Sequence, residues 1–351
     1  MKIKTINGGF DFLVNRYQTS QGFSNWLRLT DKELSRHYES EKLREFSLRY
    51  CTMLSYERVS GLVGERCGTS RLSDQRLYHL VQEEAEKLRV EQERIIRARE
   101  ARKVAVKAIS VDIYEAKAEE IIWLSDGICV SEQKIKRDGQ AKRGKERTTT
   151  EMAMMQRKDG SYKTLIAGKE VEKLKLYEAE VVKEYGGRAG HLPLVAISDG
   201  ARSLKNETKK LFGKDVCHIL DWYHLEAKVY QLMTQIARSK EAKKESTEIL
   251  LAALWQGETA RAIGHLQEIK VKNEVKQNEL IGYLEKNQGY IINYQRRTEA
   301  KKIIGSGRME KQNDVLVAHR QKRKGMSWSK NGSLSLALVT AHFNQRTNYL
   351  Q

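Results

Sequence analysis

Proline occurs once in 351 residues, and that scarcity is the strongest constraint on the fold. Proline ends or kinks helices, so a chain almost without it favours long ones. The single proline, Pro193, opens the run that reads as most deeply buried, Leu192-Pro-Leu-Val-Ala-Ile-Ser-Asp-Gly200. Four consecutive apolar residues, 194–197, fit a strand covered on both faces. An Asp-Gly pair ends it, and a helical pattern begins near Ala201. In open α/β sheets functional groups gather at the carboxyl ends of strands, which singles out Asp199. A second run, Ile121-Ile-Trp-Leu-Ser-Asp-Gly127, also closes on Asp-Gly, at Asp126. A third acid, Glu310, follows Gly305-Ser-Gly307 at the expected start of a helix.

Residues 1–30 hold a candidate hairpin around Asn7-Gly-Gly9 and are otherwise unassigned. From 31 to about 106 the pattern is helical and strongly charged. Within it, residues 54–88 read as a helix-turn-helix. Val59, Leu62 and Val63 form one apolar stripe, residues 68–70 break it, and Ser73 caps a second helix carrying Leu77, Leu80 and Val81. Arg71, Gln75, Arg76 and His79 are then placed to meet DNA; an ordinary helical hairpin fits the same pattern. Residues 82–107 read as a solvated connector helix.

From residue 104 the period changes. Stretches 105–114 and 120–130 are β-rich. Residues 133–147 hold seven Lys/Arg against two acids and two glycines, which reads as a basic loop. Strands are expected over 148–157 and 161–167, joined by the Lys158-Asp-Gly160 turn. A helix over 170–185 stops at Gly186-Gly187. Strand, helix and strand follow at 193–198, 201–212 and 215–220. Three strands with a hairpin between the last two, then helix, strand, helix, strand, is the order of a ribonuclease H-like α/β fold. Residues 223–303 are purely helical and read as an insertion. The domain boundaries expected are therefore 31–103 for an all-α DNA-binding region, 104–222 with 304–351 for the catalytic core, and 223–303 for the insertion.

Lys+Arg number 64 against 46 Asp+Glu, a net charge of +18, and such an excess points to a polyanion, most simply nucleic acid. Cys51, Cys67, Cys129 and Cys217 are scattered without a CxxC pair, which argues against a zinc site or a disulfide framework. Free thiols, the lack of a signal-peptide core and the lack of a membrane-length apolar run lead to the expectation of a cytoplasmic protein.

In the expected fold the strands ending at Asp126 and Asp199 are neighbours, so both carboxylates can reach one cation, and Glu310 can lie against them. Magnesium takes oxygen ligands and keeps several waters, so two or three carboxylates suffice. Two such ions serve phosphodiester chemistry by activating the attacking oxygen and stabilising the leaving one. Clustered carboxylates repel when no cation is present, which raises their pKa values. Each acid also has a structural reading: Asp-Gly is a common turn, and Glu310 complements a helix dipole. Asp112 competes with Asp126 for the first position. Asp221-Trp-Tyr-His224 reads two ways, as a pair that supports the metal site or positions a DNA strand, or as an N-cap aspartate with a hydrogen-bonded histidine.

Asp126-Gly-Ile-Cys-Val130, Ile197-Ser-Asp-Gly-Ala201, Leu220-Asp-Trp-Tyr-His224, Gly305-Ser-Gly-Arg-Met-Glu310 and Gly325-Met-Ser-Trp-Ser329 occur in that order. The chain from about residue 54 onward resembles bacterial insertion-sequence transposases of the Kra-four group, allied to Mutator-like transposases. The resemblance implies a ribonuclease H-like domain with an Asp-Asp-Glu metal triad, falling here on Asp126, Asp199 and Glu310, with Asp221 and His224 in support. It implies Mg2+ or Mn2+, two ions, as cofactor. The implied activity is cleavage at the ends of a mobile element followed by strand transfer. The implied partners are double-stranded DNA, as terminal inverted repeats and target, and a second copy of the chain in a homodimer or larger assembly. The implied setting is the bacterial cytoplasm, at the nucleoid. Candidate DNA contacts are Lys134, Lys136, Arg137, Lys142 and Arg143 in the basic loop, Arg320, Lys322, Arg323 and Lys324 further on, and Trp328 or Trp222 as a stacking platform. Two rival classes stay open at this point: a non-catalytic DNA-binding regulator, and a structure-selective nuclease on the same fold.

Overall fold

The computed structural model describes residues 2–11, 16–20, 22–25, 37–67, 72–102, 104–133, 146–323 and 325–348. The chain divides into two compact units. Met1–Glu91, Cys129–Thr150 and Asp314–Gln351 form one; Gln92–Ile128 and Glu151–Asn313 form the other. Residues 314–351, grouped on sequence with the α/β core, thus fall in the unit of the N-terminal helices.

In the first unit β1 (Lys2–Thr5) and β2 (Gly8–Asp11) pair antiparallel, the hairpin expected around Asn7. β3 (Arg16–Thr19) and β4 (Gly22–Asn25) form a second antiparallel pair. The stretch read as helical from residue 31 contributes a strand as well, β5 (His37–Glu39), parallel to β1. Helix Glu41–Cys51 starts where it does because the Ser40 hydroxyl accepts the Leu43 N–H, a side-chain cap worth about 1 kcal/mol. Helices Tyr56–Cys67 and Asp74–Glu100 follow. Ser73 accepts the Arg76 N–H at 3.2 Å, the predicted cap, and Leu77, Leu80 and Val81 are fully buried. The helix expected over 82–107 is present to Glu100 and is continuous with the one that Ser73 caps: Asp74–Glu100 is one helix of 27 residues. It is not simply solvated, because Ala85, Arg89 and Ile96 keep an apolar or paired stripe buried along it.

The second unit carries most of the mixed sheet, with residues 129–131 and 147–150 of its strands falling in the first. Its strands are β6 (Ala108–Ile109), β7 (Ile121–Ser131), β8 (Arg147–Gln156), β9 (Tyr162–Leu165), β10 (Leu192–Ser198) and β11 (Cys217–Leu220), in the order β11-β10-β7-β8-β9 with β6 on β10. Of the β-rich stretch 105–114 only two residues pair. β10 runs parallel to β7 and β11, and β8 and β9 form the predicted hairpin. Gly160 turns that hairpin at φ 81°. Side chains alternate across a strand, and the alternation sorts the faces. Ile121 and Trp123 of β7 and Leu192, Leu194 and Ala196 of β10 enter one apolar cluster with Tyr177 and Val181 of helix Lys173–Tyr185 and Phe212 of helix Arg202–Phe212. Trp123 stands edge-on to Phe212 and Tyr177, at 5.0 and 5.5 Å between ring centroids. Each large side chain buried there contributes about 1.5–3 kcal/mol, which commits Ile122, Leu124 and Asp126 to the opposite face.

After β11 the helices Trp222–Ile236, Lys240–Trp255, Thr259–Glu268, Glu274–Asn287 and Tyr294–Glu299 fill the stretch expected to be all helical. Asp221, Ser239, Asn273 and Asn293 cap four of them through side-chain oxygens. Helix Gly307–Asn313 closes the unit. No helix among the described residues is long and apolar enough to cross a membrane.

Candidate active site

β7 and β10 pair in parallel as far as Leu124 opposite Ile197. Two residues further, the same register sets Asp126 opposite Asp199, on the face turned away from the Trp123 cluster, across neighbouring strands that lie about 4.8 Å apart. Asp126 does not end its strand as expected, since β7 continues to Ser131. β10 stops at Ser198, so the parallel pairing gives out at the two aspartates, and Asp126 lies at the carboxyl end of that pairing rather than of its strand. Asp199 Oδ1 accepts the Ala201 N–H at 2.8 Å. Gly200 between them has φ +84°, and a Cβ there would lie 2.7 Å from Leu220 Cδ1 and 3.0 Å from Asn287 Oδ1. Both the left-handed backbone and the crowding require glycine, which accounts for the Asp-Gly pair.

Asp221 brings the third acid to the site. It is fully buried. Its Oδ1 accepts the N–H groups of Tyr223, at 2.7 Å, and His224, at 3.2 Å, which caps helix Trp222–Ile236. Its Oδ2 accepts both the N–H and the hydroxyl of Ser306. The Trp222 N–H donates to Ile304 O at 3.1 Å. These bonds fasten the Gly305-Ser-Gly307 turn to the start of helix Trp222–Ile236, where a Cβ on Gly305 would lie 2.5 Å from Tyr223 Cδ2. Helix Gly307–Asn313 therefore leaves the turn in a fixed direction. Glu310, in its first turn, meets His224, with Nε2 to Oε1 at 3.2 Å. One turn later Asn313 donates from Nδ2 to Asp126 Oδ2 at 2.5 Å. Asn313 was not a sequence candidate; its spacing of three from Glu310, which puts both on one helix face, is the signal that finds it.

Burial, chiefly, pushes the Asp126 carboxyl above its ordinary value; Asp199 and Glu310 push it further, while the Gly127 N–H and His224 oppose the rise. The repulsion expected of clustered acids is thus present at Asp126. Among the described residues one set of ligand atoms is close enough to share a cation, and a second set of acids interacts electrostatically around Asp126. Asp221, His224 and Glu310 offer atoms all within 4.8 Å of one another, but the Asp221 oxygens already accept four hydrogen bonds, about the capacity of a carboxylate. Asp126, Asp199 and Glu310 hold fewer donors, are partly exposed and repel. That donor set, all oxygen and short of positive charge, fits a hard divalent cation, and the orphaned, buried Asn313 Oδ1 beside Asp126 is a further unsatisfied oxygen of the same kind.

The other candidates divide. Asp112 is exposed and accepts the N–H of its own neighbour Tyr114 at 2.9 Å. Gln75 and His79 are exposed and bonded to each other at 3.0 Å. Arg76 is no free cation: it forks onto Glu39 at 2.8 and 2.7 Å and reaches Glu83 at 2.6 Å. Arg320 is 2 % exposed, sits over the rings of Trp328 and Tyr56, and donates to Cys51 O, so it is a core residue and no phosphate contact. Trp328 is buried with it and donates its indole N–H to Gln321 O, which removes it as a stacking platform. Trp222 is likewise buried, against Trp255 and Tyr294. Lys322 is exposed, and Arg323 donates to His319 O and Met53 O. With Arg147 they line a cavity of about 350 Å³ in the first unit. Arg71, Lys134, Lys136, Arg137, Lys142, Arg143 and Lys324 lie outside the described residues.

No family model and no curated protein matches this chain. Among solved structures the chain aligns with the Drosophila P element transposase strand transfer complex at 11% identity and a TM-score of 0.30, over 92% of this chain and 83% of that one.

Proposed function

We propose that the chain is a DNA transposase of the Asp-Asp-Glu type, of the Kra-four group, with a ribonuclease H-like core that cuts the ends of a mobile element and joins the freed 3′ hydroxyl to target DNA. The observation that carries this is the meeting of Asp126 and Asp199 at the end of one parallel strand pairing, with Glu310 and Asn313 delivered to them by a helix that Asp221 anchors. The order of five short motifs, the net charge of +18 and a segment of five helices between β11 and the final glutamate support it.

Asp126, Asp199 and Glu310 would hold Mg2+ or Mn2+. Such ions supply charge stabilisation at a phosphodiester and lower the pKa of a hydroxyl nucleophile. The chain's own contribution is positioning. Asn313 orients the Asp126 carboxylate, the Ala201 N–H orients that of Asp199, and His224 holds Glu310. Double-stranded DNA is the partner, bound as terminal repeats and as target, with two copies of the chain pairing two ends.

Asp199→Asn is expected to lower cleavage and strand transfer on a donor with element ends by about 10³-fold or more, with DNA affinity nearly unchanged. Mg2+ is expected to raise the melting temperature of the parent protein and not that of Asp199→Asn. Cleavage at the parent rate by Asp199→Asn sinks the proposal. Sequence-specific binding without any Mg2+-dependent cutting would mark a regulator, and cutting that ignores element ends a structure-selective nuclease.

A further inference from the structure

Helix Arg202–Phe212 begins three residues after Asp199 and carries Lys205 and Lys209 one turn apart. Their ammonium groups lie 4.1 and 5.7 Å from the centre of the Tyr290 ring, and Lys209 reaches the Tyr290 hydroxyl at 3.4 Å. His218, on β11, turns its own ring edge-on to the same tyrosine at 5.9 Å. Lys286 adds positive charge within electrostatic range of Lys205. Among the described residues the partners of Lys205 and Lys209 are Tyr290 and Asn287, with no carboxylate in an ion pair, although Asp199 acts on Lys205 from a distance.

Burial makes this concentration of cations costly. Lys205 and His218 are each 8 % exposed. The His218 Nε2 is buried and has no hydrogen-bond partner. Burial and the two lysines push His218 down to about 4, so its imidazole is neutral near pH 7 and offers an N–H without adding charge. Like charges held together beside an unused ring nitrogen lack one thing, an anion with several acceptor oxygens. The position is specific too. Lys205 donates to Asn287 Oδ1 at 3.2 Å, and that same oxygen crowds Gly200 in the turn after Asp199. The cluster and the turn that sets Asp199 thus share a wall.

We propose that Lys205, Lys209 and His218, gathered around Tyr290, form a phosphate-binding subsite next to Asp199, taking a backbone phosphate of the nucleic acid strand held there. The inference deepens the transposase reading and rests on it for the source of the phosphate; a free polyphosphate shares the chemistry and is separated by the test.

The test uses the full chain and its Lys209→Gln, Lys205→Met/Lys209→Gln and Lys205→Arg variants. Tripolyphosphate is expected to raise the melting temperature of the parent and of Lys205→Arg, and to leave Lys209→Gln unchanged. The slope of log affinity against log salt for a short duplex is expected to become shallower by about 1–2 in the double variant, as for one or two lost phosphate contacts. Lys205→Arg, which keeps the charge, should restore it. Loss of the tripolyphosphate response with an unchanged DNA slope supports the subsite but assigns it to free phosphate. Lys209 is exposed, so Lys209→Gln keeps the fold. If it melts as the parent does yet responds equally to tripolyphosphate, and the double variant keeps the parent slope, the subsite is overturned. Should Asp199→Asn still cut DNA while the double variant shows the shallower slope, the transposase reading fails and the subsite stands.

Discussion

Two aspartates close to the same helix, Asp126 and Asp221, live in opposite circumstances. Asp221 is fully buried and accepts four hydrogen bonds from Tyr223, His224 and Ser306. Asp126 accepts from Gly127 and Asn313, faces Asp199 and Glu310, and has its carboxyl held above the ordinary range. A saturated carboxylate is part of the frame. A carboxylate short of donors and pressed by its own kind is stabilised by a positive neighbour. Hydrogen-bond saturation, more than proximity, separates the residues that build this site from those that would work in it.

The comparison breaks most easily at Asp221. Asp221→Ala removes a helix cap and strands the buried N–H and hydroxyl of Ser306, together costing about 3–5 kcal/mol. Urea unfolding of the full chain reads this directly. Asp126→Asn keeps the shape of its side chain and relieves repulsion, so its midpoint should equal or exceed the parent value. If the two variants lose equal stability, the contrast between frame and ligand is wrong.

A smaller effect lies at the turns. Gly200→Ala forces a side chain into a left-handed backbone, 2.7 Å from Leu220 Cδ1 and 3.0 Å from Asn287 Oδ1, neither of which is solvent-exposed. Strain and overpacking together cost about 2–4 kcal/mol. Gly305→Ala meets mainly Tyr223, which is 55% exposed and can swing outward, so its cost should be about 1 kcal/mol. Thermal denaturation of the pair ranks them; an equal or reversed order would show that the turn after Asp199 is not the tighter one.

Much of this site was legible in the sequence because strands and turns leave local marks. The apolar run 194–197 and its Asp-Gly end announce β10 and Asp199, and the period of two puts Asp126 on the face it occupies. Asp221 could be read as cap or as support; the cap is present, and the same carboxylate also grips Ser306. What the sequence conceals is partnership over distance. Nothing local tells that Arg320 is enclosed by Tyr56 and Trp328, 264 and 8 positions away, or that Arg76 is occupied by Glu39. A run such as Arg320-Gln-Lys-Arg looks uniformly basic, yet one of its cations is core and another caps carbonyls. The missed strand β5 shows the same limit, for its three residues pair only because β1 lies alongside.

The smallest expected effect tests Asn313. Removing its amide in Asn313→Ala takes one donor from Asp126 and costs about 1 kcal/mol, but pH gives the sharper reading. Asp126 in the folded chain holds its proton more tightly than its ordinary value of 3.8 implies. The folded state therefore binds more protons than the unfolded one above that value, and stability falls as pH rises from 3.8 through the raised folded value. Asp126→Asn should abolish that fall. Asn313→Ala, lacking the amide N–H that favours the charged form, should extend it to higher pH. Stability measured by urea unfolding at a series of pH values in metal-free buffer distinguishes the three proteins. A profile for Asn313→Ala that is merely lowered, with its fall at the parent pH, would mean that Asn313 fills space beside Asp126 without orienting it.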